Sequence, residues 1–222
     1  MPEAQTVQAK YIFLDIVRYT HGRSVEAQSD IVGVLNQLVR EAVEAQNLDK
    51  EAVIYIPTGD GMCIALLNVN EPFDAHMQIA LNILSVVHKH NEKALDKMRQ
   101  FETRIGVNKN ADNRIVDING RPNVAGAGIS MAQRIMDKAD AGQILVGVSV
   151  YQELVQRENY MHDWRCFEAE VKHGDKVQVY QYVNKKALGL NADIPGALKG
   201  MADKFSDTVS DAVKVVQKPF TK

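Results

Sequence analysis

The chain has 222 residues, 45% of them hydrophobic, and a formal net charge of −2. That is enough for one well-cored domain plus an appendage, and the near-balanced charge supplies no basic field to draw in nucleic acid. Cys63 and Cys166 stand far apart with no CxxC spacing, which fits a reducing compartment and excludes a disulfide framework. The opening MPEAQTVQAK holds no apolar signal core, and no uninterrupted apolar run approaches the roughly 20 residues that cross a bilayer. The expectation is a cytoplasmic protein with no transmembrane segment and no nucleic-acid partner.

In chain order, YIFLDIV (residues 11–17) is a short apolar run carrying one acid and reads as a buried strand. In SDIVGVLNQLVREAVEA, Ile31, Leu35, Leu38 and Val39 recur at helical spacing. AVIYIPTGDGMCIALL is two apolar runs joined across Gly59, Asp60 and Gly61, where glycines permit the positive φ of a tight hairpin. Residues 73–90 are helical again, with Phe73, Met77, Leu81, Leu84 and Val87 on one face. TRIGVNK reads as a strand and NRIVDI as a second. AGISMAQRIMDKA reads as a helix with Gly126 and Gly128 at its start. QILVG is a strand, SVYQELVQ a short helix, and KVQVYQYV a last strand with alternating character. The class is α+β: an antiparallel sheet with helices packed on one face, close to a ferredoxin-like (palm-like) plan.

Beyond Lys186 the character changes. GLNADIPG reads as a linker, and Leu198, Met201, Phe205, Val209, Ala212 and Val216 form a narrow helical stripe to the end. That helix is expected to pack on its own protein or on a second copy. A polar face mixing Asp with Lys argues against a strongly membrane-seeking helix. The domain boundaries are therefore set at 8–186 for the main domain and 187–222 for linker plus helix.

Two acids carry the chemistry. Asp15 lies at or near the end of the first strand, and Asp60 sits at the hairpin tip. Singly, an aspartate in either place is most often a turn-former. If the two strands are neighbours, both carboxylates meet at one sheet edge, and like-charge repulsion is relieved by a cation. Mg2+ or Mn2+ is the natural partner of such ligands. His88 and His90, two apart on a helix, diverge and read as solvent-facing. Cys63 reads as a small core residue. The GAG of residues 126–128 lacks the GxGxxG spacing and reads as close packing near a ligand.

The ordered set FLDIVRYT, TGDGM, RIGVN, GAGISMAQRI and GQILV resembles the class III nucleotide cyclase catalytic domain over residues 11–183. Each motif is weak alone; order and spacing together are specific. The resemblance implies that Asp15 and Asp60 bind two metal ions, Mn2+ or Mg2+, with the backbone carbonyl of Ile16. It implies that the turn Val17, Arg18, Tyr19 and Thr20 receives the triphosphate through its amides, as unpaired N–H groups do for anions. Arg134 matches the arginine that steadies charge on the reacting phosphate, and Lys172, in EVKHG, the lysine that holds the terminal phosphates. Family members pair head to tail, the aspartates coming from one chain and the arginine and lysine from the other, so a homodimer with two equivalent sites is implied. The implied reaction is attack of the ribose 3′-hydroxyl on the α-phosphate, with pyrophosphate leaving.

The departures from the family concern the base. Purine cyclases carry a Lys or Glu where Ile56 stands and an Asp or Cys where Asn123 stands. Ile56 cannot hydrogen-bond a base, and Asn123 offers a donor and an acceptor without charge. Ser130 replaces the usual Asn near the arginine. Tyr55, beside Ile56, could wall a smaller ring or simply pack in its strand. This combination resembles the compact bacterial pyrimidine cyclases of antiphage defence, the Pycsar type, which make cyclic UMP or cyclic CMP for a separate effector protein. UTP is preferred to CTP on likeness to the small stand-alone members. The alternatives are an adenylate cyclase with an altered base pocket and a non-catalytic nucleotide-sensing dimer module.

Overall fold

A computed structural model describes residues 5–170 and 176–200. The first strand, β1 (Gln5–Ile16), starts well before the apolar run that announces it. Ile12, Leu14 and Ile16 are buried on one side of it, Tyr11 and Phe13 on the other. A strand buried on both sides needs cover on both faces of its sheet.

Helix α1 (Val25–Glu44) begins where the Ser24 side chain accepts from the Ala27 amide, and it buries Ile31, Leu35 and Val39. The hairpin of β2 (Val53–Pro57) and β3 (Gly61–Leu67) follows, then α2 (Ala75–Lys93). Next come β4 (Thr103–Val116), β5 (Pro122–Ala125), α3 (Ala127–Met136), β6 (Ile144–Gly147), α4 (Val148–Leu154), β7 (Trp164–Glu170) and β8 (Lys176–Tyr182). They build one sheet in the order β2-β3-β1-β4-β6-β8-β7, with β5 paired to β4. Every pairing is antiparallel except β4 with β6, the two strands that α3 connects.

The α+β class expected from sequence holds, with corrections in detail. Helices lie on both faces rather than one. Residues of α1, α2 and α4 join the core beside Ile12, Leu14 and Ile16. Helix α3 packs on the opposite face: a Cβ on Gly106 of β4 would lie 2.4 Å from the Ala132 carbonyl oxygen, so only glycine lets the helix backbone come this close. NRIV continues β4 instead of forming a new strand, and β7 was not anticipated.

The stretch expected as a linker is tied to the domain. Asn191 donates its main-chain amide to the Gly142 carbonyl at 2.8 Å and its side-chain amide to the Ala141 carbonyl at 3.0 Å, and the Asp193 carbonyl accepts from Gln143 and Gln181. Leu198 is buried against Ile135, Leu145 and Phe167. The helical stripe from Met201 to Val216 lies outside the described residues.

One polar cluster sits deep between β1, β4, α2 and α4. The Lys10 ammonium, 4% exposed as a residue, donates to Glu153 at 2.8 Å and to the Phe73 carbonyl at 2.6 Å. Lys109 donates to the other Glu153 oxygen at 3.0 Å. His76 is fully buried nearby, with neither ring nitrogen partnered among the described residues.

Candidate active site

The register of three strands decides where the acids meet. Asp15 of β1 lies opposite Gly61 of β3 on one side and Arg104 of β4 on the other. Asp60 is the residue before Gly61, and its carbonyl accepts from the Ile16 amide at 3.0 Å. Glycine flanks Asp60 for two reasons. Gly59 has φ +103°, which side chains rarely adopt, and a Cβ on Gly61 would lie 2.1 Å from the Leu14 carbonyl oxygen. The Gly-Asp-Gly hairpin thus permits a sharp turn and close contact with β1 at Asp15.

Arg104 was not singled out from sequence, although it lies in the quoted RIGVN. Its guanidinium forks onto Asp15, Nε to Oδ1 and Nη2 to Oδ2, both at 2.9 Å. Asp137, just past α3, stands 3.6 Å from Nη2. The Asp15 bond, then its charge and those of Asp137 and Asp60, hold Arg104 above its usual range, against the opposing effect of burial.

After β1 the chain turns through residues 17–22. The Val17 amide is bonded to the Glu102 carbonyl at 2.9 Å. Arg18 takes φ 54°, a left-handed conformation uncommon outside glycine. The amides of Arg18, Tyr19 and Thr20 find no acceptor among the described residues. Together with Asp15, Ile16 and Asp60, these turn residues line a cavity of about 1020 Å³. That is ample for a nucleotide-sized ligand. Lys97 and Arg104 add positive charge to the wall.

The remaining candidates lie elsewhere. Arg134 and Ser130 are on α3, on the opposite face of the sheet; Arg134 is half-buried and Ser130 exposed. Asn123 lies on β5, its side-chain oxygen accepting from the Val124 amide at 2.7 Å. Ile56 packs against the cluster of Phe13, Cys63 and Met136 on that same face. Tyr55 points the other way and lines a separate groove with Arg40 and Glu44 of α1. None of these five lines the Asp15 cavity. Lys172 lies outside the described residues. The GAG glycines pack against protein: Cβ atoms there would strike Asp112, which accepts from the Gly128 amide at 3.0 Å and the Tyr11 hydroxyl at 2.7 Å. Cys63 is fully buried, as expected of a core residue; His88 is exposed, but His90, expected to face solvent as well, is half-buried against Phe101 with its Nε2 3.2 Å from the Arg99 carbonyl oxygen.

Whether a divalent ion suits this edge is a question of donor chemistry. Asp15 and Asp60 offer hard oxygens, and the structure already sets a cation, Arg104, against Asp15. Among the described residues no group of three or more His, Cys, Asp or Glu side chains could enclose an ion. An ion here would complete its shell from main-chain oxygens, water and phosphate, the habit of Mg2+ and Mn2+ rather than of structural zinc.

Comparisons with known proteins bear on the family and the fold. Residues 1–184 match the family described as the adenylate and guanylate cyclase catalytic domain. No curated protein sequence matches. Among solved structures, the guanylate cyclase domain of RhGC from Catenaria anguillulae, in complex with GTP, is 19% identical with a TM-score of 0.63, covering 79% of this chain and 96% of that one. The adenylyl cyclase CyaB from P. aeruginosa is 18% identical with a TM-score of 0.59, covering 84% and 99%. The catalytic core of a rhodopsin-guanylyl cyclase with converted specificity, in complex with ATPalphaS, is 20% identical with a TM-score of 0.66, covering 82% and 98%. At these identities the likeness is one of fold.

Proposed function

The chain belongs to the adenylate and guanylate cyclase catalytic-domain family, and from that premise we propose that it cyclises a pyrimidine nucleoside triphosphate, UTP before CTP, to the 3′,5′-cyclic monophosphate plus pyrophosphate. The observation that carries the reading is the meeting of Asp15, Asp60 and the three unbonded turn amides in one cavity. Carboxylates that attract a divalent cation stand beside N–H groups that attract phosphate.

The work divides among the chain's own residues. Asp15 and Asp60, with the Ile16 carbonyl, hold Mn2+ or Mg2+; the amides of Arg18, Tyr19 and Thr20 cradle the triphosphate, whereas that of Val17, expected to join them, is taken by the Glu102 carbonyl. The divalent ions, when bound, lower the pKa of the ribose hydroxyl and neutralise the triphosphate. Arg134 adds positive charge where negative charge builds on the α-phosphate. It stands outside the Asp15 cavity of its own chain, together with Ile56, Asn123 and Ser130. A head-to-tail homodimer brings this second set, with Lys172, over the cavity of its mate and makes two equivalent sites.

The pyrimidine assignment rests on Ile56 and Asn123. Ile56 is packed into an apolar cluster and presents no donor or acceptor. Tyr55, on the opposite face, does not wall the base beside Ile56 within this chain. The role follows the resemblance: a cyclic UMP or cyclic CMP signal in antiphage defence, made in the cytoplasm and read by a separate effector protein. Among the described residues no helix is long and apolar enough to cross a membrane.

All four ribonucleoside triphosphates with Mn2+, given to the purified protein, test the reading. UTP turned over fastest is the expected result; ATP turned over best makes the chain an adenylate cyclase with an altered base pocket. Asp60→Ala should remove product formation, since a lost catalytic ligand costs several kcal/mol at roughly tenfold per 1.4 kcal/mol. Cyclisation that survives in that variant discards the metal assignment.

A further inference from the structure

Arg23 closes the turn that carries the unbonded amides, yet no step above uses it. Its guanidinium is committed to the main chain. Nη1 donates to the carbonyls of Arg18 at 2.6 Å and of Tyr19 at 3.0 Å. Nε donates to the Met98 carbonyl at 3.0 Å and Nη2 to the Gln100 carbonyl at 2.8 Å. Four bonds thus draw on a group with five N–H donors.

What this does to the turn follows from peptide geometry. A trans peptide is planar, and its C=O and N–H point to opposite sides. Drawing the carbonyls of Arg18 and Tyr19 toward the guanidinium turns the N–H groups of Tyr19 and Thr20 away from it. Those amides have no acceptor among the described residues, and Tyr19 and Thr20 line the cavity. Arg18 sits in a left-handed conformation, φ 54°, which persists only where surrounding contacts hold it.

The other end of the clamp is fixed. The Asp96 side chain accepts from the Met98 amide at 2.9 Å, and Arg99 reaches Asp30 of α1 at 2.9 Å. Phe101 and Asn91 of α2 exchange two bonds, at 2.7 and 3.0 Å. Residues 96–101 are therefore pinned to both helices, and Arg23 ties the turn to them.

Arg23 also lines the cavity, but four of its five N–H donors are held by main-chain carbonyls, and we infer that it is a positioning residue for the proposed reaction: by holding two carbonyls it aims the Tyr19 and Thr20 amides toward a polyphosphate. The inference rests on the reading of the turn as the triphosphate site. Lysine is no substitute, because one ammonium cannot bridge four carbonyls on two segments.

The test uses the full chain with Arg23→Lys and Arg23→Ala. Inorganic tripolyphosphate with Mn2+, titrated calorimetrically, reads the turn without a base. Affinity is expected to fall roughly tenfold or more in both variants. With the preferred nucleoside triphosphate, KM should rise about tenfold while kcat falls less than about threefold, as lost binding shared by ground and transition states requires. Millimolar guanidinium should recover part of the loss in Arg23→Ala, the variant that leaves a hole of matching shape. Should Arg23→Ala not fold, Arg23→Lys, which keeps the charge and most of the packing, decides alone. Arg23→Lys that binds tripolyphosphate as tightly as the parent overturns the inference, as does a loss confined to kcat. A parent protein that binds no tripolyphosphate overturns the triphosphate site and this inference together; a parent that binds and cyclises while both variants match it overturns this inference alone.

Discussion

Arg104 grips both carboxylate oxygens of Asp15 at 2.9 Å from the next strand. The acid proposed to hold a metal ion is thus already neutralised by a guanidinium, and a divalent ion must share Asp15 with it. The pair is only partly exposed, 27% and 16%, so solvent screens it incompletely. Arg104→Gln should therefore bind Mn2+ more tightly in the absence of nucleotide, by roughly tenfold, the scale of one hydrogen bond to a charged group. The same variant should melt lower than the parent without metal and gain more from added Mn2+. Electron paramagnetic resonance of free Mn2+ reads the affinity directly; an unchanged constant would mean that Arg104 and the ion do not compete.

Gly61→Ala tests the close contact between hairpin and β1. The new methyl would sit 2.1 Å from the Leu14 carbonyl and 2.7 Å from the Asp15 Cα, both backbone atoms of a central strand. Neither can swing aside, so a cost of about 3 kcal/mol or more is expected. Urea denaturation checks it. Gly59→Ala, with open space around it but φ +103°, should cost less, about 1–2 kcal/mol.

Glu153→Gln addresses the buried charges. Glu153 serves Lys10 and Lys109 at once. Burial raises its pKa, but the hydrogen bonds from Lys10 and Lys109 and then the charge of Lys10 outweigh that and hold it below the ordinary value. Removing its charge leaves the Lys10 ammonium inside without its counterion, for a loss of about 3–5 kcal/mol. An unfolding free energy, read by chemical denaturation, lowered by less than a third of that would show that the Phe73 carbonyl alone satisfies Lys10.

His76 predicts a pH dependence. Burial, then the positive charge of Lys10, holds its imidazole down to about 3 from 6.5; Glu153 and Asp74 oppose this and Lys109 adds to it. Below pH 6.5 the unfolded chain takes up a proton that the folded chain refuses. Stability contributed by the neutral ring is complete above 6.5 and is lost as pH falls, by up to about 1.4 kcal/mol per unit. His76→Leu should flatten the change in unfolding free energy between pH 7.5 and pH 5.5, a window above the usual range of Glu153. An equal slope in both proteins would show that His76 is not the group responsible.

Much of the fold was legible in local pattern. Helical spacing marks α1, α2 and α3 because a buried stripe must recur near every fourth residue. The glycines beside Asp60 mark the hairpin because no other residue fits both the turn and the contact with β1. β7 escaped because WRCFEAE mixes polar residues into a strand whose alternate positions are only partly buried. The apparent linker misled because GLNADIPG has loop composition, while its order comes from bonds to Gly142, Gln143 and Gln181.

The candidate site divides in the same way. Asp15 and Asp60 could be singled out from residue type and spacing, which are local properties, and the turn between β1 and α1 from the family resemblance that those motifs carry. That Arg104 holds Asp15, that Arg23 holds the turn, and that Arg134 stands on the far face from α1 were decided only by the folded sheet. Each depends on strand register and on which face a helix covers. Those are set by pairing partners far apart in the chain, and hydrophobic periodicity carries no record of them.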